Sequence, residues 1–106
     1  MEEKKVGLKF DAGKPRYGLI PAHALEEVVK VLTIGAQKYS DDNWKIVSDG
    51  ENRYFDGLMR HVWAFKRGEI LDPETKLHHL AHGICNLLFL YEITTNLSTQ
   101  NKETVV

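Results

Sequence analysis

Residues 72–94, DPETKLHHLAHGICNLLFLYEIT, decide the fold. Leu77, Leu80, Ala81, Ile84, Leu87, Leu88 and Tyr91 recur at helical spacing and form a broad apolar stripe, which predicts the central helix of an all-α chain. At its start Asp72 is suited to cap free N–H groups, Pro73 fits a first turn where its missing donor costs nothing, and Glu74 complements the helix dipole. The helix is expected to run to about Thr94.

Two further helical patterns precede it. Phe55, Leu58, Met59, Val62 and Phe65 mark the core face of a helix from about Arg53 to Lys66, with Gly68 as its terminator and Asp56, Arg60, Trp63 and Arg67 on the opposite face. Before that, Leu25, Val28, Val29, Leu32, Ala36 and Tyr39 predict a helix from near Pro21 to about Tyr39. SDDNW breaks it, and Ser48, Asp49, Gly50 and Asn52 make a turn-rich connection. From Val6 to Pro21 the glycines at 7, 13 and 18 and prolines at 15 and 21 oppose a helix, so this segment is expected to be an extended arm lying on something else. The expectation is a single helical domain over 1–95, with its arm at 1–21 and a polar, loosely held tail at 96–106.

At 106 residues the chain has room for one modest core, so three helices with wide apolar faces predict a homo-oligomer, a dimer or tetramer. Fourteen basic against fifteen acidic residues leave a formal charge of −1, which provides no general field for nucleic acid or anionic membrane. Any phosphate recognition must be local. A single cysteine excludes an internal disulfide, and no apolar run approaches the roughly 20 residues of a membrane span. A cytoplasmic protein is expected.

Chemistry concentrates in EILDPETKLHHLAHGICN, where eighteen residues hold three carboxylates, three histidines, an asparagine and the cysteine. His79, His82 and Asn86 stand at successive helical steps, which places them on one face, and His61 on the preceding helix enlarges the group. Both His79 and His82 are expected to project toward ligand space rather than into the apolar stripe. A histidine pair one turn apart can ligate a transition metal, or each ring can be satisfied by a carbonyl or carboxylate. The carboxylates Glu26, Glu27, Glu69, Asp72 and Glu74 are the candidates for a harder ion such as Mg²⁺, which prefers oxygen; for Asp72 a capping role is the alternative. Cys85, among Ile84, Leu87 and Leu88, reads as a buried inert thiol. Two other sites are excluded. In GLKFDAGKPR (7–16) the spacing from Gly7 to Gly13 is one residue too long for a P-loop, and Pro15 stands where a hydroxyl is needed. No His-Asp dipeptide is present, which sets aside the histidine-aspartate phosphohydrolases.

KFDAGKPRYGLIP, GAQKYSDDNW, RHVWA, GEILDPET and HLAHGICN, in that order over residues 8–92, resemble a phage-associated family: the N-terminal domain of dATP/dGTP diphosphohydrolase, grouped with MazG-like all-α nucleotide pyrophosphohydrolases. The resemblance implies cleavage of a purine deoxynucleoside triphosphate to monophosphate and pyrophosphate with Mg²⁺ or Mn²⁺, in the cytoplasm of a phage's host. On that reading Glu27, Glu69 and Asp72 hold the metal, and His79 or His82 orients or deprotonates the water. Lys14, Arg16, Lys38, Tyr39, Trp44, Arg60, His61 and Asn86 would receive the nucleotide, with at most one of Arg60 and His61 lining the pocket. MazG-like enzymes carry EExxE followed by a helical ExxD; here Lys30 stands in place of the third glutamate, and Glu69-x-x-Asp72 precedes Pro73. That departure favours a rival reading, a phage-encoded protein that captures a nucleotide or nucleotide-derived signal without cleaving it.

Overall fold

Helical patterning governs the chain. The computed structural model describes the backbone of residues 5–105 and the side chains of residues 5–95, and contains α1 (Ala22–Lys38), α2 (Gly50–Lys66) and α3 (His79–Val105). Short 3-10 turns stand at Tyr17–Leu19 and Asn43–Ile46. Among the described residues the β structure amounts to an isolated antiparallel bridge between Leu71 and His78. The expected loosely held tail, 96–106, lies outside the described side chains.

α1 begins and ends where its pattern predicts, with Pro21 at the N-cap and Tyr39 at the C-cap. α2 begins three residues before Arg53. Asp49 adopts a left-handed conformation (φ 53°), turning the chain into the helix, and its carbonyl receives the Arg53 N–H at 3.0 Å. The turn-forming residues thus supply the helix entry as well as the loop. Gly68 closes α2 as expected: its φ of 103° suits a residue without Cβ, and the Glu69 N–H returns to the Ala64 carbonyl at 3.0 Å.

The start of α3 differs from expectation. Asp72 does cap a turn, accepting the Glu74 and Thr75 N–H groups on Oδ1 at 2.9 Å each, but that turn is not continuous with the helix. Lys76 at φ 63° reverses the chain, and Asp72 N–H to Leu77 carbonyl (2.8 Å) and His79 N–H to Ile70 carbonyl (2.9 Å) pin the segment 70–79 as a tight loop. The local helix signals of Asp72, Pro73 and Glu74 are spent on a single turn, and α3 starts at His79.

The core is small. Val28 and Val31 of α1 meet Ala81 and Cys85 of α3, with Leu32, Leu77 and Phe89 packed around them. Burial pushes the Cys85 thiol up to about 12, as fits an inert core group. α2 and α3 lie together through small residues: Gly57, Ala64 and Gly83 are all buried. The apolar stripe expected inside therefore lies largely outside in the single chain. Leu80, Ile84, Leu87 and Tyr91, spaced as one helical row, are all exposed, as are Phe55, Met59, Leu25 and Val29 on the other helices. The arm is more exposed still, with Phe10 84% open.

Close α2–α3 approach makes two glycines respond oppositely. A Cβ at Gly57 would stand 3.0 Å from Asn86 Oδ1, whereas one at Gly83 would meet Leu58 Cδ1 at an ordinary 3.5 Å. Gly57→Leu is expected to destabilise by about 2–3 kcal/mol through overpacking. Gly83→Ala is expected to stabilise by up to about 1 kcal/mol, because alanine is the better helix former and its methyl fits. Denaturant unfolding of both variants checks the contrast; equal effects would contradict this packing.

Candidate active-site cleft

The end of α1, the 3-10 turn after it, the inner face of α2, the 70–79 loop and the first turns of α3 enclose a cleft of about 730 Å³. Lys38 and Tyr39 come from the end of α1, Trp44 from the 3-10 turn, Arg60 and His61 from α2, and Asp72, His82 and Asn86 from the loop and α3. Eight of the residues singled out in the sequence thus share one cavity. Arg60 and His61 both line it, although neighbouring positions on a helix point about 100° apart. The cleft is wide enough to take both directions.

The remaining candidates stand elsewhere. Lys14 and Arg16 are on the exposed arm and do not line the cleft. Glu27, also outside the cleft wall, pairs with Lys30 at 3.3 Å, so the lysine that replaces the third glutamate of the motif holds the second. Glu69, half exposed, binds His79 Nε2 through Oε1 at 2.7 Å. His79 itself is 4% exposed and sits behind the wall, with Nδ1 placed 2.9 Å from His61 Nδ1. Its ring is held at both nitrogens.

The other imidazoles are equally constrained. His61 stacks on His82 with centroids 4.5 Å apart and planes 10° from parallel, and His82 Nε2 shares a 2.7 Å hydrogen bond with Thr75 Oγ1. Burial, followed by the unfavourable proximity of His82 and His79, pushes His61 down to about 4. Burial also lowers His82, against the opposing pull of Asp72. Both rings are therefore neutral at pH 7 and offer lone pairs. Burial alone would raise the Asp72 carboxyl, but the Thr75 and Glu74 N–H groups, with His82 and His61, outweigh it and hold it below the usual value. At the outer rim Lys38 Nζ meets Glu74 Oε1 at 3.0 Å, a bond that raises the lysine and ties α1 to the loop.

Sequence reasoning missed Thr75, Tyr54 and Phe89, which line the cleft together with Glu74, one of the carboxylates singled out as a candidate ion ligand. Phe89 stacks on Trp44 (5.1 Å, 14°), and Tyr54 tilts against the same ring. Phe89 lies seven residues after His82 and three after Asn86, a spacing that marks the same helical face. Thr75 carried no signal of its own, and Glu74 read as a helix-start or ion-binding carboxylate; their places beside His82 and Lys38 depend on contacts across the fold.

The fold and cleft define a small all-α domain with cationic, aromatic and imidazole groups around one cavity. The chain belongs to the family described as dATP/dGTP diphosphohydrolase, N-terminal, whose model it matches over residues 4–103. It is similar to a protein of Salmonella phage PMBT28 named dATP/dGTP diphosphohydrolase, 39% identical over 95 residues that make up 90% of this chain and 32% of that protein. The chain thus spans about a third of that relative's length. No solved structure matches it. No helix among the described residues is long and apolar enough to cross a membrane.

Proposed function

We propose that this domain binds a purine deoxynucleoside triphosphate, dATP or dGTP, in the cleft and hydrolyses it to the monophosphate and pyrophosphate. The observation that carries the reading is the meeting of Lys38 and Arg60, Tyr39 and Trp44, and His61 and His82 around one cavity of about 730 Å³, within the usual range for a small-molecule site. Arg60 and Lys38 supply positive charge for the phosphates, and Trp44, already stacked on Phe89, extends an aromatic platform for a base. Water adds to the α-phosphorus, the bond from that phosphorus to the bridging oxygen breaks, and pyrophosphate leaves with the electron pair. The neutral His82 ring accepts a hydrogen bond from the attacking water, and Thr75 orients the ring. The family name and the phage relative support the substrate class.

The Mg²⁺ or Mn²⁺ site implied by the MazG-like resemblance required Glu27, Glu69 and Asp72 together. The described residues do not gather them: Glu27 is neutralised by Lys30, Glu69 is engaged with His79, and the group that converges with Asp72 is two imidazoles. An all-carboxylate centre does not fit. The same Glu27–Lys30 pair favours the second reading, capture of the nucleotide without cleavage.

Pure protein incubated with dATP, dGTP and the ribonucleotides, across a panel of divalent ions including Zn²⁺ and Co²⁺, separates the two. Equimolar monophosphate and pyrophosphate are expected. Stoichiometric retention of intact nucleotide with no pyrophosphate under any ion would overturn hydrolysis and establish capture.

The partner proposed for the outer apolar row is a second copy of this chain. The chain exposes 8961 Å², whereas a compact monomer of 12.1 kDa is expected to expose about 6,000 Å². Leu80, Ile84, Leu87 and Tyr91 form a continuous exposed row on α3, suited to helix-on-helix association. Sedimentation is expected to give at least a dimer, and Ile84→Glu with Leu87→Glu is expected to lower the mass to one chain. A wild-type monomer at all concentrations would contradict it.

A further inference from the structure

We propose that His61, His79 and Asp72 form a metal centre that selects an imidazole-seeking divalent ion of the Zn²⁺, Co²⁺ or Fe²⁺ kind over Mg²⁺. One donor atom from each residue lies within 4.8 Å of the others. The two Nδ1 atoms are 2.9 Å apart, and two nitrogens bound about 2.0–2.1 Å from a tetrahedral ion stand roughly 3.3 Å apart. Opening the pair by a few tenths of an ångström therefore admits the ion in place of the hydrogen bond between them.

The surroundings are built as an outer shell is built. Glu69 Oε1 engages His79 Nε2 at 2.7 Å, so a neutral His79 that donates from Nε2 presents its Nδ1 lone pair to the ion. Asp72 is oriented through Oδ1 by the Glu74 and Thr75 N–H groups, while Oδ2 has no hydrogen-bond partner among the described residues. His82, stacked flat on His61, fixes the plane of that ring. No unpartnered buried side-chain atom is left among the described residues, so the arrangement is organised without strain from missing bonds. Three protein donors leave further coordination positions, and His61 and Asp72 both border the cleft, so those positions face its contents.

The donor types set the choice of ion. Two imidazole nitrogens and one carboxylate suit first-row transition ions, whereas Mg²⁺ demands oxygen and keeps its waters. Carboxylates alone would carry the opposite preference. The centre stands independently of the nucleotide, because its test uses the metal alone.

Chelator-treated full chain is titrated with Zn²⁺, Co²⁺ and Mg²⁺ separately, following the ring-nitrogen NMR signals of the histidines and the ion retained on dialysis. One Zn²⁺ per site is expected, shifting Nδ1 of His61 and His79, with an affinity on the order of 100-fold above that for Mg²⁺. Glu69→Gln is expected to weaken Zn²⁺ binding about 10–100-fold, and Asp72→Asn more. Because Asp72→Asn also disturbs the loop, the wild-type spectra decide the matter by themselves. Zn²⁺ shifts confined to His23 or His78, no saturable binding, or Mg²⁺ binding as tight as Zn²⁺ would overturn the proposal, whether or not the protein hydrolyses nucleotide.

Discussion

Arg60→Ala is expected to lower kcat/KM for the deoxynucleoside triphosphate about 10²–10³-fold, equivalent to roughly 2.7–4 kcal/mol of lost transition-state stabilisation. Arg60 is exposed on the cleft wall and has no hydrogen bond or ion pair among the described residues, so its guanidinium is available to an anionic occupant. Lys38 differs, because Glu74 already holds its ammonium at 3.0 Å and binding must compete with that bond. Lys38→Ala is therefore expected to cost less in turnover while loosening the junction of α1 with the loop. Folding stability should change by less than about 0.5 kcal/mol in Arg60→Ala, as for other exposed positions without a buried partner. Arg60→Lys should recover part of the loss, since it restores charge but not the planar fork. Kinetics of pyrophosphate release, measured beside thermal unfolding, check the set. Wild-type kcat/KM in Arg60→Ala would remove the arginine from the phosphate site.

His79→Ala is expected to destabilise the fold by about 2–4 kcal/mol. The ring is 4% exposed and bonded at both nitrogens, to Glu69 and to His61, so truncation opens a cavity and strips partners from both. The backbone N–H of residue 79, which bonds the Ile70 carbonyl at the start of α3, is kept in the variant, so the cost is that of the ring alone. His82→Ala should cost less, because His82 is only partly buried and borders the cleft. The two histidines, alike in the linear pattern, divide here: His82 meets the contents of the cleft and His79 stands one layer behind. Denaturant unfolding gives the order. A His79→Ala variant as stable as the wild type would show that its bonds are exchanged for water at no cost.

Helical periodicity and capping chemistry made the three helices legible, and α1 in particular runs where Pro21, the apolar spacing and Tyr39 place it. The site was legible in part as a composition: His61, His82, Asp72, Asn86, Arg60, Lys38, Tyr39 and Trp44 reach one cleft, whereas His79 stands behind it. The start of α3 was not legible, because Asp72, Pro73 and Glu74 favour a helical turn equally well whether or not a helix follows. Lys76, with its positive φ, ends that turn, and nothing in its residue type announces the reversal.

What the sequence by itself determined is the all-α class, the approximate helices and the stock of cationic, aromatic and imidazole groups, because these follow from residue type and short-range spacing. Which face turns inward was decided by the tertiary structure. A periodic pattern ranks faces by hydrophobicity, but closeness of packing depends on side-chain size: Gly57, Ala64 and Gly83 let α2 and α3 approach, and the sector between them carries His61, His79, His82 and Asn86. The larger apolar row was left outside. The convergence of His61, His79 and Asp72 was likewise decided there, since it joins α2, the start of α3 and the loop before it, and His61 lies eleven or more residues away along the chain.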